Sequence, residues 1–216
     1  LSGLTSGKPY DVFCYDNGGT PTLEFLAWTN DTTRATALAY QDGVLVKSGA
    51  ATRRYLGTFY TTSTTQTEDS ATSRYLYNYY HRKLRRMVRN DATVSWTYTT
   101  ASYRQANASA SNQLNYLQGV AEDSVMATVA CMAVNSSGPA VSCGIGLDST
   151  TANSTSLNAQ VVATANGMPL QAHYRGTPVA GRHYLAWLEY SGAAGTTTWY
   201  GTSGEIKSGI IGEIYA

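Results

Sequence analysis

The sequence predicts an all-β protein in two parts. A small antiparallel β domain spans residues 1–92 and a jelly-roll-type β-sandwich spans residues 93–216, with one short helix or connector between them. Three observations carry this. Charged residues make up only 13% of the 216-residue chain, about half the usual share. Thr, Ser, Ala, Gly and 17 Tyr fill the gap, and β-branched and aromatic side chains pack well on a pleated surface. A disordered chain would carry more charge and fewer aromatics. Segment after segment alternates with a period of two, and turn signals recur at short intervals. From Ser95 onward, roughly eight strands in about 120 residues is the spacing of a sandwich or jelly roll. There is no βαβ rhythm and no clear internal repeat.

Taken in order, LTSGKPYDVFCYD opens with a turn, then sets Tyr10, Val12 and Cys14 against Asp11, Phe13 and Tyr15. The NGG at 17–19 is a tight-turn signal, because Asn and Gly accept positive φ. TPTLEFLAWT is then the return strand of a hairpin. NDTTRATALAYQDGVLVKSGA adds a helical turn near Arg34 to Ala39 and a second hairpin turn at Gln41-Asp42-Gly43. With TRRYLGTFYTT as a further strand, residues 5–62 make one small antiparallel sheet. TSTTQTEDSATS breaks the rhythm. Thr65 and Glu68 have capping-box spacing, which predicts a short helix over residues 70–80.

Strands resume at SWTYTTASYRQAN, where Trp96 and Tyr98 alternate with Thr97 and Thr99. NQLNYLQGVAEDSVMATVACMAVNSSGPAVSCGIGLD divides into three strands at Glu122-Asp123 and at Ser136 to Pro139. The next segment turns at Asn166-Gly167 and again at Pro178 to Gly181. TTTWYG and SGIIGEIYA are short closing strands.

Charge and hydropathy narrow the function. A net charge of +1 argues against a nucleic-acid binder, which usually carries a strongly basic balance. Apolar runs such as SVMATVACMAV are far too short to span a bilayer, so no membrane insertion is expected. His173 and His183 flank a predicted turn, but no third metal ligand accompanies them. The acids Glu68-Asp69, Glu122-Asp123, Asp148, Glu189, Glu205 and Glu213 offer carboxylate pairs for a glycosidase, with nothing in the sequence to set a separation between them. Glu213 reads as a solvent-facing residue of the last strand. No phosphate-binding glycine loop is present. Hence no catalytic residue, metal or cofactor is expected. Cys14, Cys131 and Cys143 lack metal-type spacing. A Cys131–Cys143 bridge across a hairpin and buried free thiols both fit.

One stretch stands apart. RYLYNYYHRKLRRMVRN, residues 74–90, crowds aromatics into its first half and basic residues into its second. As a helix it aligns Leu76, Tyr80, Leu84, Met87 and Val88 in one stripe. As a strand it alternates poorly. A phosphate grip with tyrosine stacking is conceivable. A solvated or subunit-facing connector suits the neutral chain better, with Glu68 and Asp69 near enough in sequence to neutralise part of it. Tyr79, Tyr80, Arg82, Arg85 and Arg86 are the candidate subunit contacts.

LTSGKPYDVFCYDNGG, WTNDTTRATALAYQDGVLVKSGA, TRRYLGTF, TEDSATSRYLYNYYHR, SWTYTTASYRQANA, GIGLDSTT, GRHYLAWLE and SGIIGEI together resemble a group of virion structural proteins of tailed bacteriophages and prophages, tail-fibre-like and poorly characterised. The resemblance covers nearly the whole chain. It implies a virion location, a fibre, spike or other appendage role, and a homotrimer as for jelly-roll fibre tips. It implies contacts with other virion proteins and with a host-surface glycan or protein. Tyr103, Trp199 and Tyr200 are then candidate receptor contacts if they sit at loop tips, or ordinary core aromatics if they do not. A decoration or shaft protein without host binding, and a glycan-cleaving tailspike-type enzyme, are the alternatives. Relatives carry further sequence upstream, which fits a chain beginning at Leu1 rather than Met. They also carry prolines after the NYY block, where this chain reads HRKLRRM, so a longer helix stays open here.

Overall fold

The computed structural model describes residues 2–159, 161–162 and 167–216. The protein is all-β. In chain order the strands are β1 (Pro9–Asn17), β2 (Thr20–Ala27), β3 (Leu38–Gln41), β4 (Val44–Lys47), β5 (Ala50–Tyr60), β6 (Ser73–Arg74), β7 (Leu76–Asn78), β8 (Leu84–Asn90), β9 (Ser95–Tyr98) and β10 (Tyr103–Gln105). They continue as β11 (Gln113–Gln118), β12 (Val125–Asn135), β13 (Ala140–Leu147), β14 (Leu157–Asn158), β15 (Val161–Val162), β16 (Met168–Gly176), β17 (Gly181–Tyr190), β18 (Thr197–Tyr200) and β19 (Gly209–Tyr215).

The first sheet runs β2-β1-β5-β4-β3, with β7 also paired to β5. Its two hairpins close where turn chemistry demands. Asn17 pairs with Thr20 across Gly18 and Gly19, and Gln41 pairs with Val44 across Asp42 and Gly43, both at positive φ. That backbone twist matches the twist of the flanking strands.

The remaining strands form a sandwich-type pair of sheets. One runs β15-β13-β17-β11-β6 with β10 also on β17; the other runs β14-β16-β12-β18-β9 with β19 between β12 and β8. Two long strands organise them. On β17, β13 covers one edge while β11 and β10 share the other end to end. On β12, β16 covers one edge while β19 and β18 share the other. Between the sheets lies one core holding Leu114, Tyr116, Val129, Ile145, Leu170, Trp187, Trp199 and Ile210. Trp96 meets Trp187 edge to face at 5.8 Å.

Three expectations need correction. Residues 70–80 are not a helix; they hold β6 and β7. Tyr75 and Tyr77 are both buried while Leu76 between them is exposed, so the tyrosines repeat every second residue as a strand requires. The capping box does not form either: Glu68 accepts from the Ser70 hydroxyl at 2.5 Å. The helical turn near Arg34 to Ala39 is absent, and β3 begins at Leu38. Among the described residues the one helical element is a short 3-10 turn at Ala106–Ala108.

The basic segment is β8, a strand despite its poor alternation. It pairs antiparallel with the terminal strand from Leu84↔Tyr215 to Asn90↔Gly209, so residues 84–90, placed with the first part on sequence, hydrogen-bond into the sandwich. Asn166 of the expected Asn166-Gly167 turn lies outside the described residues.

Candidate functional site

The aromatic-basic stretch supplies two surfaces. At its bend, Tyr79 leans on Tyr55 at 5.7 Å and meets Tyr80 edge to face at 5.1 Å. Arg54 lies over the Tyr80 ring at 4.3 Å. Arg82 reaches Glu122 at 3.1 Å and also binds Asp123 and the Tyr77 hydroxyl. Burial alone would lower the Arg82 pKa, but Tyr77 and these two carboxylates outweigh it and raise it. The Tyr79 hydroxyl is pushed up to about 12, first by its contact with Tyr40 and then by burial. The cation of Arg82 is thus satisfied within the chain, and its role is to tie the turn before β12 to the bend after β7.

Tyr40 stands beside this cluster, 64% exposed. Its hydroxyl lies 3.3 Å from that of Tyr79 and donates to Glu122 at 3.4 Å. It borders an open cleft of about 480 Å³ between the first sheet and the sandwich, lined also by Thr33, Arg34, Leu38, Val120 and Glu122. Sequence reading missed Tyr40 because one tyrosine among many in a hairpin carries no signal of what stands opposite.

The second surface is the outer face of the seven-stranded sheet. Arg85 and Arg86 are neighbours on a strand, so they point to opposite sides. Arg85 faces inward and binds Asp69 at 2.7 Å, beside Arg74 on the other oxygen at 3.0 Å. Asp69 thereby neutralises part of the basic run, as its place in sequence suggests. Arg86 faces outward and lies opposite Glu213 in the strand register; among the described residues it has no ion-pair partner. Apolar residues stand beside it, among Thr128, Lys207 and Glu213. Leu84 is 48%, Tyr215 42% and Ile211 39% exposed, with Val88 and Ala130 between them. A hollow of about 390 Å³ lined by Arg86, Val88, Thr128, Ala130, Lys207 and Ile211 sits in its middle. A sheet with one side packed on the core normally turns a polar side to water.

The candidate receptor contacts do not assemble. Trp199 is a correction: it is fully buried in the sandwich core, paired with Trp96 across β18 and β9, and cannot meet a partner. The strand period puts it inward and Tyr200 outward. Tyr200 is half-buried opposite Ser95 and Met132. Tyr103 is half-buried against Tyr190 at 5.3 Å, its hydroxyl donating to Ser142 at 3.3 Å. Tyr103 lies on β10 in one sheet, and Trp199 and Tyr200 lie on β18 in the other.

The acids and histidines are spread apart. His173 is on β16 and His183 on β17, in different sheets. His183 is buried, with Nδ1 at 2.7 Å from Asp148 and Nε2 at 2.8 Å from the Val179 carbonyl. Two acceptors on one ring favour imidazolium. Burial opposes this, but Asp148 and the carbonyl prevail and raise its pKa. Glu189 is buried beneath Arg104 at 2.7 Å and the Trp96 indole N–H at 2.6 Å. Desolvation pushes its carboxyl up. Among the described residues no group of three or more His, Cys, Asp or Glu could hold a metal ion, and no helix is long and apolar enough to cross a membrane. No protein-family model matches the chain, and no curated protein matches it.

Proposed function

We propose that this chain is a structural subunit of a bacteriophage particle, a fibre, spike or other appendage component that assembles as a homotrimer and contacts other virion proteins. The outer face of the seven-stranded sheet carries the reading. Leu84, Val88, Ile211 and Tyr215 form an apolar field with Arg86 and Glu213 at its centre, and among the described residues neither charge has an ion-pair partner within 4.0 Å. Another copy of the chain satisfies both: around an axis, Arg86 of one copy meets Glu213 of the next while the apolar residues close over them. Low charge and abundant Tyr suit such interfaces, since Tyr supplies contact area with a polar handle. The long sequence resemblance to phage virion proteins supplies the particle, and a jelly-roll arrangement of the two sheets is part of the same proposal.

Sedimentation of the purified chain tests the assembly. A species of three times 23.2 kDa is expected. Labelled antibody on intact particles tests the location. A monomer at tens of micromolar that is absent from particles would sink the reading.

The cleft beside Tyr40 favours a second role, attachment to a host-surface glycan or protein. An exposed ring beside the Glu122 carboxylate offers stacking to a sugar face and an acceptor to its hydroxyls. Purified trimer that binds host cells, and loses binding with Tyr40→Ala, supports attachment. A trimer that binds no cell and decorates the capsid lattice supports the shaft or decoration role instead. A glycan-cleaving activity is the remaining alternative, read out as reducing sugar released from host polysaccharide. No nucleic acid or membrane insertion enters the proposal.

A further inference from the structure

We infer that Cys131 and Cys143 form a disulfide between the two sheets of the sandwich under oxidising conditions. Cys131 lies mid-way along β12 and Cys143 along β13, and these strands belong to different sheets. The chain passes from one to the other through the short turn at residues 136–139. The two strands come within 8 Å of each other, Cα to Cα, along part of their length. Alternation turns Val129, Cys131 and Ala133 inward from β12, and Cys143 is completely buried beside Val141 and Ile145. Both side chains therefore enter one apolar cluster from opposite walls, and Trp187 belongs to the same cluster. They are free thiols in this structure. Burial first, and the adjacent Cys143 thiol next, hold Cys131 protonated well above the usual thiol range. Cys14 sits in the first sheet and is half-buried, so it does not compete for either sulfur.

The exchange balances with a low-molecular-weight disulfide as oxidant. One cysteine, deprotonated, attacks a sulfur of the oxidant; the oxidant's S–S bond breaks and its first thiolate leaves. The second cysteine attacks the resulting mixed disulfide, the Cys131–Cys143 bond forms, and a second thiolate leaves. The two cysteine protons end on the two released thiols, so the protein loses two electrons and two protons and the oxidant gains them. Both cysteines are buried in the folded chain. Closure therefore belongs to folding, while the strands are still assembling, and the finished bond is then shielded from attacking thiolates. The bridge joins the two sheets within the core that holds Trp96, Trp187 and Trp199.

The test is to refold the full chain in a glutathione redox buffer, alkylate, and map the peptides by mass. The expected product has lost two hydrogen masses, carries one Cys131–Cys143 linked peptide and is alkylated at Cys14 alone. Its melting temperature lies about 5–10 °C above that of the reduced chain. Cys14→Ser keeps that shift. Cys131→Ala with Cys143→Ala, which preserves an apolar core, abolishes it and melts near the reduced chain in either buffer. Full alkylation of both cysteines after oxidative refolding overturns the inference. So does a bridged form that melts at or below the reduced chain, since the two walls would then be too far apart to join without strain.

Discussion

The first sheet packs one face onto a small cluster of Phe13, Leu45, Tyr55, Tyr77 and Val120. The sandwich instead closes two sheets over one continuous core that holds three tryptophans. A single sheet cannot hide a face by itself, and two of the five cluster residues, Tyr77 and Val120, come from outside its consecutive strands β1 to β5. The turn at Gly119 and Val120 serves as the missing cover. A Cβ at Gly119 would collide with the Tyr77 ring and the Tyr55 hydroxyl, so only glycine lets the cover approach. Where apolar area is short, the first sheet uses cations. Arg34 stacks on Trp28 at 4.3 Å, binds buried Asp11 at 2.9 Å and donates to the Gly119 carbonyl. Glu24 holds both Lys47 and Arg53, and Arg53 lies over Tyr15 at 3.7 Å. The two regions are therefore expected to fail differently, the sandwich chiefly through cavities and the first sheet through unpaired charge, although the sandwich also buries one acid, Glu189 beneath Arg104.

The largest expected effect falls on the sandwich. Trp187→Ala empties the centre of its core and should cost about 3–5 kcal/mol. Denaturant unfolding would show this as a lower midpoint. Loss of the near-ultraviolet tryptophan signal at the same midpoint would tie it to that core. Next is Arg34→Ala, which leaves the Asp11 carboxylate buried without its cation and should cost about 3 kcal/mol. Hydrogen exchange should quicken in β1 and β5 and hardly change in β12 and β17. If both regions loosen equally, they form one cooperative unit and the contrast fails.

Charge reversal on β8 should separate fold from surface. Arg85→Glu sets a carboxylate against Asp69 and should destabilise by about 1 kcal/mol. Arg86→Glu should leave the melting temperature within a degree or two and shift the sedimenting species toward monomer. Equal effects from the two variants would remove the outer face from the assembly reading.

A further effect, confined to one pH range, falls on His183. Its folded pKa is raised above the ordinary 6.5, so its contribution is fully present below 6.5 and is lost as pH rises through the folded value. His183→Gln should therefore cost about 1 kcal/mol in mild acid, with the gap to the parent chain narrowing toward alkaline pH. A gap that stays constant across that range would mean the ring is neutral.

Much of the strand order is legible in the sequence because turns are local. Asn17-Gly18-Gly19 and Asp42-Gly43 carry their own backbone preference, and the breaks at Glu122-Asp123 and at 136–139 fall between strands as predicted, while the turn expected at Pro178 to Gly181 ends one residue earlier because Gly181 already opens β17. The stretch from Arg74 to Asn90 was harder to read. Its helical stripe of Leu76, Tyr80, Leu84, Met87 and Val88 is a coincidence of spacing, while Tyr75 and Tyr77 carry the strand period. Arg85 and Arg89 blurred that period in β8, since long basic side chains can lie along an inner face and lead their heads to an acid or to the edge. The buried acids Asp11 and Glu189 were equally hidden, because each is explained by an arginine far away in the chain.

By itself the sequence determined the all-β class, the hairpin turns and the near-neutral surface, because alternation, turn preference and composition act over a few residues. Only the tertiary structure decided that β8 pairs with the last strand, that Trp199 is core while Tyr40 is exposed, and that Arg85 and Arg86 have opposite duties. It also decided that Cys131 and Cys143 enter one core from strands of separate sheets. Those outcomes depend on which distant strand supplies the partner, and the physics that selects a partner is the burial of whole faces, which no local pattern records.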